Sequence, residues 1–197
     1  VRVENHAENG RSTKSFLEEG RLETIRERMQ PGDFLFIQFG HNDEKAEDPA
    51  RYTSPEDTFR GYLAVFVKAA REKGAYPVLI TPLTRRCYRD PQAKYSHGPY
   101  AAAMRELARE LCVPLIDLTA ESEKLVDRMG EDAKQLYMNL PAGRFSHYPD
   151  GLEDNTHLQP AGALAFAGLV AEGLQALGGA YAALLSDEAC QWMRERA

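Results

Sequence analysis

Residues 33–43 read Asp-Phe-Leu-Phe-Ile-Gln-Phe-Gly-His-Asn-Asp. From Asp33 to Phe39 the run is nearly continuously apolar, the pattern of a strand covered on both faces in a parallel sheet. It leads into Gly40-His41-Asn42-Asp43, a polar loop at the strand's carboxyl end. Two further runs have the same character: Pro77 to Thr81 and Pro114 to Leu118. Val1 to Glu4 reads as a strand remnant ahead of them. Between these runs lie segments with helical period and readable ends. Ser54-Pro55-Glu56-Asp57 offers a capping residue, a proline for the first helical position and acids that suit the positive helix start. Phe59, Leu63, Phe66, Val67 and Ala70 follow at three-to-four spacing, and Gly74 stops the helix. A second helix carries Ala103, Leu107 and Leu111. A third begins after Gln159-Pro160 and closes at Gly178-Gly179. A short amphipathic tail from Ser186 to Arg196, with the only tryptophan at Trp192, is expected to pack back on the domain. Strands alternating with helices predict an α/β fold with a parallel sheet, whose ligands bind at the carboxyl ends of the strands.

A chain of 197 residues suits a single domain, 1–197, large enough for a real core. No repeat, low-complexity tract or change of composition marks a boundary inside it. The net charge is −6, and no Lys/Arg cluster is interleaved with aromatics, so nucleic acid is not an expected partner. The apolar stretches read as interrupted before membrane-spanning length, as from Ala161 to Leu177, so a membrane is not expected either. Cys87, Cys112 and Cys190 are odd in number and contain no CxxC pair, which argues against a disulfide framework or a zinc site. That favours the cytoplasm. Secretion stays open, because the sequence begins on Val1 and a leader ahead of it cannot be read. No oligomeric state follows from the sequence.

Three polar segments sit where strands should end. In Asp154-Asn155-Thr156-His157, an Asp three residues before a His, on a turn entering a helix, can accept a hydrogen bond from one imidazole nitrogen. That fixes the tautomer and leaves the other nitrogen free to take a proton from a nucleophile. A capping Asp beside a surface His is the plainer alternative. In Gly40-His41-Asn42-Asp43, the Asn42 carboxamide can aim an N–H at an oxyanion, and an ordinary Asn-Asp turn is the alternative. Asp43 reads as a local cap and His41 as a structural hydrogen-bonding residue. In Asn5-His6-Ala7-Glu8-Asn9-Gly10-Arg11-Ser12, Gly10 lets the backbone come close to a ligand and present its N–H as a second oxyanion donor, or is simply a turn glycine. Each signal is weak alone, and their order and placement carry the weight.

Taken in that order, NxAxxGRS, IQFGHND and DxTHLxPxGA resemble three of the four sequence blocks of the SGNH (GDSL-type) hydrolases. The match is closest to the rhamnogalacturonan acetylesterase (YesT-like) branch and runs from Val1 to about Leu177. The resemblance implies a flavodoxin-like three-layer α/β/α sandwich with five parallel strands ordered 2-1-3-4-5. It implies that Gly10 gives its backbone N–H, and Asn42 its side chain, to an oxyanion hole. It makes His157 the general base and Asp154 the acid that orients it. It implies an acetylated oligo- or polysaccharide as substrate, with pectic rhamnogalacturonan foremost, and neither a metal nor an organic cofactor. A general arylesterase or thioesterase is the alternative within the class.

The family's remaining block, a Gly-Asp-Ser after the first strand, has no counterpart in this sequence. The nucleophile is therefore expected upstream of Val1, on a missing first strand, and the chain alone is expected to be inactive. Ser12 reads as a helix cap, while Ser96 and Ser146, each next to a histidine, read as loop positions. Arg11, Arg85, Arg86, Tyr88, Arg89 and Tyr95 could line a sugar site or simply form a solvated loop. Two other classes remain open: a non-catalytic fragment or pseudo-enzyme, and a metal hydrolase using His147, Asp150, Asp154 and His157, whose spacing matches no zinc pattern.

Overall fold

The computed structural model describes residues 1–86 and 97–194, the side chain of Trp192 excepted. The chain forms two compact units. One comprises Val1–Pro82 with His97–Asp117, and the other the described parts of Leu83–Ser96 and Leu118–Ala197.

The first unit contains α1 (Thr13–Glu18), α2 (Arg21–Arg28), β1 (Phe34–Gln38), α3 (Arg60–Glu72), β2 (Tyr76–Ile80), α4 (Gly98–Glu110) and β3 (Leu115–Ile116). The strands form a parallel sheet in the order β1-β2-β3, with Phe34 opposite Tyr76 and Ile80 opposite both Gln38 and Ile116. Parallel neighbours need long crossovers, and α3 and α4 supply them. Three successive parallel strands side by side match the 3-4-5 run expected of the flavodoxin-like order. Alternation along each strand sends Ile37 and Leu79 to one face, where they join Phe16, Leu63, Phe66, Val67, Met104 and Leu107 in one buried cluster. Phe16, Phe39 and Phe66 meet there with ring centroids 5.2–5.8 Å apart.

The three apolar runs read from the sequence are the three strands, with differences. β2, paired on both sides, has Val78 and Leu79 fully buried. Among the described residues β1 has one ladder neighbour, and it leaves Phe36 41% exposed, so the cover expected on both faces is not found at β1. β3 is only two residues long. Val1 to Glu4 is not a strand: it has no ladder partner among the described residues, and Val1 and Val3 are almost fully exposed. The helix expected from Ser54 starts with a π-helical turn, Pro55–Phe59, before α3 proper. The Ser54 side chain makes no cap bond, and its N–H donates instead to Thr58 Oγ at 2.8 Å. Gly74, with φ +69°, follows the end of α3 as expected.

The second unit contains α5 (Leu118–Met129), a 3-10 turn (Gly130–Leu136), β4 (Tyr137–Leu140), β5 (Leu152–Leu158), α6 (Pro160–Leu177), α7 (Gly179–Ala182) and α8 (Asp187–Arg194). β4 and β5 pair antiparallel, a hairpin the apolar pattern did not announce. Its core is Val126, Ala133, Leu136, Tyr137 and Phe166, with the Tyr137 and Phe166 rings edge-on at 5.9 Å. The Tyr137 hydroxyl, fully buried, donates to the Thr84 carbonyl at 2.8 Å, which satisfies a polar group that burial would otherwise penalise. α6 spans the range read for the third helix. It corrects one expectation: by length and composition it is apolar enough to cross a membrane (18 residues, hydropathy 1.3), with Glu172 its one charge. Its Phe166 nonetheless lies in the core of this unit.

The hairpin is joined to α6 at Gly162, where an added Cβ would stand 1.9 Å from the Leu136 carbonyl oxygen. The obstacle is backbone and cannot rotate away. Gly162→Ala is expected to destabilise the chain by about 3 kcal/mol or more; a loss under ~1 kcal/mol in urea unfolding would contradict this close approach.

Candidate active site

In the first unit, the loop after β1 and the loop before α1 are tied together through two adjacent side chains. Asn42 donates from Nδ2 to the Arg11 carbonyl at 3.2 Å and accepts from Arg51 Nη1 at its Oδ1, also 3.2 Å. These two partners fix which way the amide faces. One Nδ2 hydrogen is used by Arg11, and the second is not committed to any described residue. Arg11 directly follows Gly10, so the amide is anchored one peptide away from the other expected oxyanion donor. Gly10 has φ +75° with open space around an added Cβ, so its glycine is required by the left-handed turn rather than by crowding. Its N–H donates to no described residue, which leaves it available to a ligand.

Asp43 holds this arrangement. It is fully buried. Its Oδ1 accepts from Thr13 N at 3.0 Å, from the Thr13 hydroxyl, and from the Thr53 hydroxyl at 3.1 Å. Its Oδ2 accepts from Gly40 N at 3.2 Å. The Gly40 bond is the local cap expected from the sequence; the other bonds reach 30 and 10 residues away. Burial pushes the Asp43 carboxyl above the ordinary aspartate value, against the pull of the Thr13, Thr53 and Gly40 donors. Ser12 is buried and caps α1 reciprocally with Ser15, as read from the sequence. Gly40, φ +139°, stands where a Cβ would meet Pro82 Cγ at 2.9 Å.

His41 lies against His97, ring centroids 4.2 Å apart. His97 is buried, bonds Glu44 Oε2 through Nδ1 at 2.8 Å, and its buried Nε2 has no hydrogen-bond partner among the described residues. No sequence pattern announces this Glu–His pair, because its members are 53 residues apart.

In the second unit, Asp154 and His157 lie on β5, directly before α6, rather than on a simple turn. Asp154 Oδ1 accepts from the backbone N–H groups of Thr156 (2.7 Å) and His157 (2.9 Å), which kinks the strand so that Oδ2 reaches His157 Nδ1 at 2.6 Å. Partial burial raises the Asp154 carboxyl, but the His157 backbone N–H, its ring and the Thr156 N–H outweigh it, and the group sits below the ordinary aspartate value. An ionised carboxylate only accepts, so Nδ1 carries the hydrogen and Nε2 presents its lone pair outward. The His157 side chain is 69% exposed, and its Nε2 bonds no described residue. The backbone around the dyad is braced: Arg85 Nε donates to Thr156 Oγ at 3.1 Å, Arg86 N to the Asn155 carbonyl at 2.8 Å, and Arg86 Nη2 to Glu153 at 3.2 Å.

The other expected positions are placed as follows. Arg11 pairs with Glu19 at 3.0 Å. Arg85 and Arg86 brace β5. Cys87, Tyr88, Arg89, Tyr95 and Ser96 lie outside the described residues. Ser146 lies in the exposed loop after β4, as read from the sequence, with its Oγ 3.4 Å from the Nδ1 of the adjacent His147. Among the described residues no group of three His, Cys, Asp or Glu side chains is placed to hold a metal ion.

Residues 1–165 match the GDSL-like Lipase/Acylhydrolase family. The chain is 48% identical over 181 residues to the rhamnogalacturonan acetylesterase RhgT of Bacillus subtilis, covering 90% of this chain and 76% of that protein. It is 40% identical to the probable rhamnogalacturonan acetylesterase YesY of the same organism, over 90% of this chain and 78% of that one. Among solved structures, the Bacillus subtilis protein YxiM superposes with a TM-score of 0.69 at 26% identity over 90% of this chain, which spans only 46% of that chain. An acetylxylan esterase from Geobacillus stearothermophilus shares the fold, with a TM-score of 0.59 at 16% identity over 83% of this chain and 68% of that one. The α/β fold of these hydrolases, expected from the sequence blocks, is the fold found.

Two outcomes follow from the two carboxylates. Asp43→Ala strands four donors and is expected to destabilise the chain by about 3–5 kcal/mol. Asp43→Asn, which turns an amide N–H toward the Gly40 N–H, should lose less. Urea unfolding that puts both variants within ~1 kcal/mol of wild type would remove Asp43 from this role. Because the Asp154 carboxyl is lowered on folding, its stabilisation is complete above the unfolded value of about 3.9 and is lost as pH falls through the lower folded value. A carbon-13 NMR titration should therefore place it below an exposed aspartate; a midpoint at or above the ordinary value contradicts the hydrogen bonding described.

Proposed function

The chain belongs to the GDSL-like Lipase/Acylhydrolase family, and on that premise we propose that it removes O-acetyl groups from carbohydrate through an acetyl-enzyme intermediate. The observation that carries this reading is the 2.6 Å contact between Asp154 Oδ2 and His157 Nδ1, with the other ring nitrogen left open. The names of RhgT and YesY support an acetylated rhamnogalacturonan as the substrate.

The mechanism follows from those two residues together with Gly10 and Asn42. His157 Nε2 takes the proton of a serine hydroxyl as the serine oxygen bonds to the acetyl carbonyl carbon. Asp154 keeps the ring in the required tautomer and stabilises the imidazolium. The carbonyl oxygen becomes an oxyanion, and the Gly10 N–H and the free Asn42 N–H are the donors that stabilise it. On collapse the ester C–O bond breaks and the sugar oxygen takes the proton from His157 Nε2. Water then attacks the acetyl-serine, giving its proton to the same nitrogen, and acetate leaves as the serine is regenerated. No Gly-Asp-Ser triplet occurs in the sequence, and no described serine is hydrogen-bonded to His157. The reading therefore assigns the nucleophile to a serine upstream of Val1.

In the full-length protein, His157→Ala and Asp154→Asn are expected to lower kcat by roughly 10³-fold or more, and Asn42→Ala by about 10²–10³-fold, with circular dichroism unchanged. Near-wild-type turnover in either dyad variant would overturn the assignment. Acetate release from acetylated rhamnogalacturonan oligosaccharides should exceed turnover of p-nitrophenyl and acyl-CoA esters. Hydrolysis of p-nitrophenyl acetate by the isolated 197-residue chain, blocked by a serine-directed phosphonate, would instead place the nucleophile within this sequence.

A further inference from the structure

We propose that the loop joining β4 to β5 is a carbohydrate subsite in which Phe145 and Tyr148 stack on a pyranose ring of the substrate chain. This rests on the deacetylase reading and adds to it a place where the polymer is held away from the ester.

Every residue from 141 to 150 is exposed, in the sequence Pro-Ala-Gly-Arg-Phe-Ser-His-Tyr-Pro-Asp. Exposure usually accompanies a loose loop, but this one is tightly tied. Tyr148 N donates to the Phe145 carbonyl at 3.0 Å, Gly143 N to Pro149 at 2.8 Å and Gly151 N to Tyr148 at 3.0 Å. Gly143 and Gly151 take φ +74° and +80°, and a Cβ on Gly151 would meet the Leu140 carbonyl oxygen at 2.6 Å. Phe145 and Tyr148 form an antiparallel bridge. Directly opposed residues in such a bridge stand on one face with Cβ atoms about 5 Å apart. Two aromatic residues, 42% and 40% exposed, thus stand opposite one another on a hydrogen-bonded turn.

Burial accounts for the covered part of each residue; the 42% of Phe145 and 40% of Tyr148 left in water add nothing to folding stability and are open to a ligand. A pyranose has a C–H face that packs against the negative face of an aromatic ring, and a rim of hydroxyls that needs hydrogen bonds. The same loop offers Arg144, Ser146, His147 and Asp150 as exposed polar neighbours. A rigid platform also avoids the entropy of ordering side chains on binding.

The hairpin register sets the dyad apart from the loop along β5. Leu140 pairs with Leu152 at the loop end, and Tyr137 with Leu158 at the other. His157 is five residues along β5 from Leu152, at most ~17 Å of strand, and the loop with Phe145 and Tyr148 extends beyond Leu152. On this proposal the loop holds a sugar other than the one whose acetyl group reacts, and its effect grows with chain length.

The test uses calorimetry of the full-length protein with deacetylated rhamnogalacturonan oligosaccharides, and kinetics on acetylated oligosaccharides of increasing length beside p-nitrophenyl acetate. Phe145→Ala and Tyr148→Ala should each weaken oligosaccharide binding roughly five- to tenfold. The ratio of kcat/KM on long oligosaccharides to that on p-nitrophenyl acetate should fall alike, through KM. Phe145→Tyr and Tyr148→Phe keep a ring and should restore both. Wild-type affinity in the alanine variants, a loss independent of chain length, or a change in sedimentation with no change in sugar affinity would each overturn the subsite, the last identifying the loop as a contact between copies. Ring-dependent sugar binding without acetate release from any carbohydrate would leave the subsite standing and remove the deacetylase reading.

Discussion

Four hydrogen bonds converge on the Asp43 carboxylate, which is wholly buried and has no cation bonded to it among the described residues. A buried carboxylate is costly unless donors surround it. Here they come from the start of α1, from the loop after β1 and from the loop before the π-helical turn. Those three stretches are separate in the chain. Phe16, Phe39 and Phe59 bring them to one apolar cluster, and the carboxylate ties their polar groups together. The Tyr100 hydroxyl adds a second tie over the same spot, donating to the carbonyls of both Asp43 and Thr53 at 3.0 and 2.7 Å. Asn42 is the next residue, and its amide reaches the Arg11 carbonyl from a backbone that Asp43 has already positioned.

The second unit solves a similar problem by a local route. Asp154 uses one oxygen on the backbone of β5 and the other on the imidazole it must orient. Fold and orientation are therefore carried by one side chain, and the carboxylate that holds the ring is itself held by the strand. Gln159 continues the device: its Nε2 donates to the Tyr137 carbonyl at 2.7 Å and its backbone N–H to Leu136 at 3.0 Å. The strand end, the start of α6 and the dyad are thereby locked to β4. An exposed histidine held this firmly from one side has its reactive nitrogen free on the other, which suits a group that must exchange protons with bound substrate and with water.

What the sequence by itself determined was the class of fold and the identity of the chemical groups. Apolar runs bounded by turn residues located β1, β2 and β3, because a strand buried in a parallel sheet has no polar face to interrupt the pattern. Gly74, Pro55 and Pro160 marked helix ends through backbone constraints that act locally. Asp154 and His157 were legible because three residues suffice for their contact, and Gly10 and Asn42 because their loops follow readable strands or turns.

Only the tertiary structure decided the rest, and the reason is the same in each case: the partner lies far away in the chain or the pattern is too polar to read. The β4–β5 hairpin escaped notice because Leu-Glu-Asp-Asn-Thr-His-Leu has Thr156 as its one β-branched residue and no Phe, Tyr or Trp, and its alternation appears only as burial in the folded unit. Val1 to Glu4 has strand-like residues but pairs with no strand among the described residues, so propensity alone formed nothing. Asp43 looked like a local cap because one of its bonds is local, while Thr13 and Thr53 meet it only once α1 and the loops have packed. Phe145 and Tyr148 are set opposite one another only by the turn between them. Composition and spacing name the groups that can do chemistry; long-range hydrogen bonds and close backbone approaches determine which of them are held in place to do it.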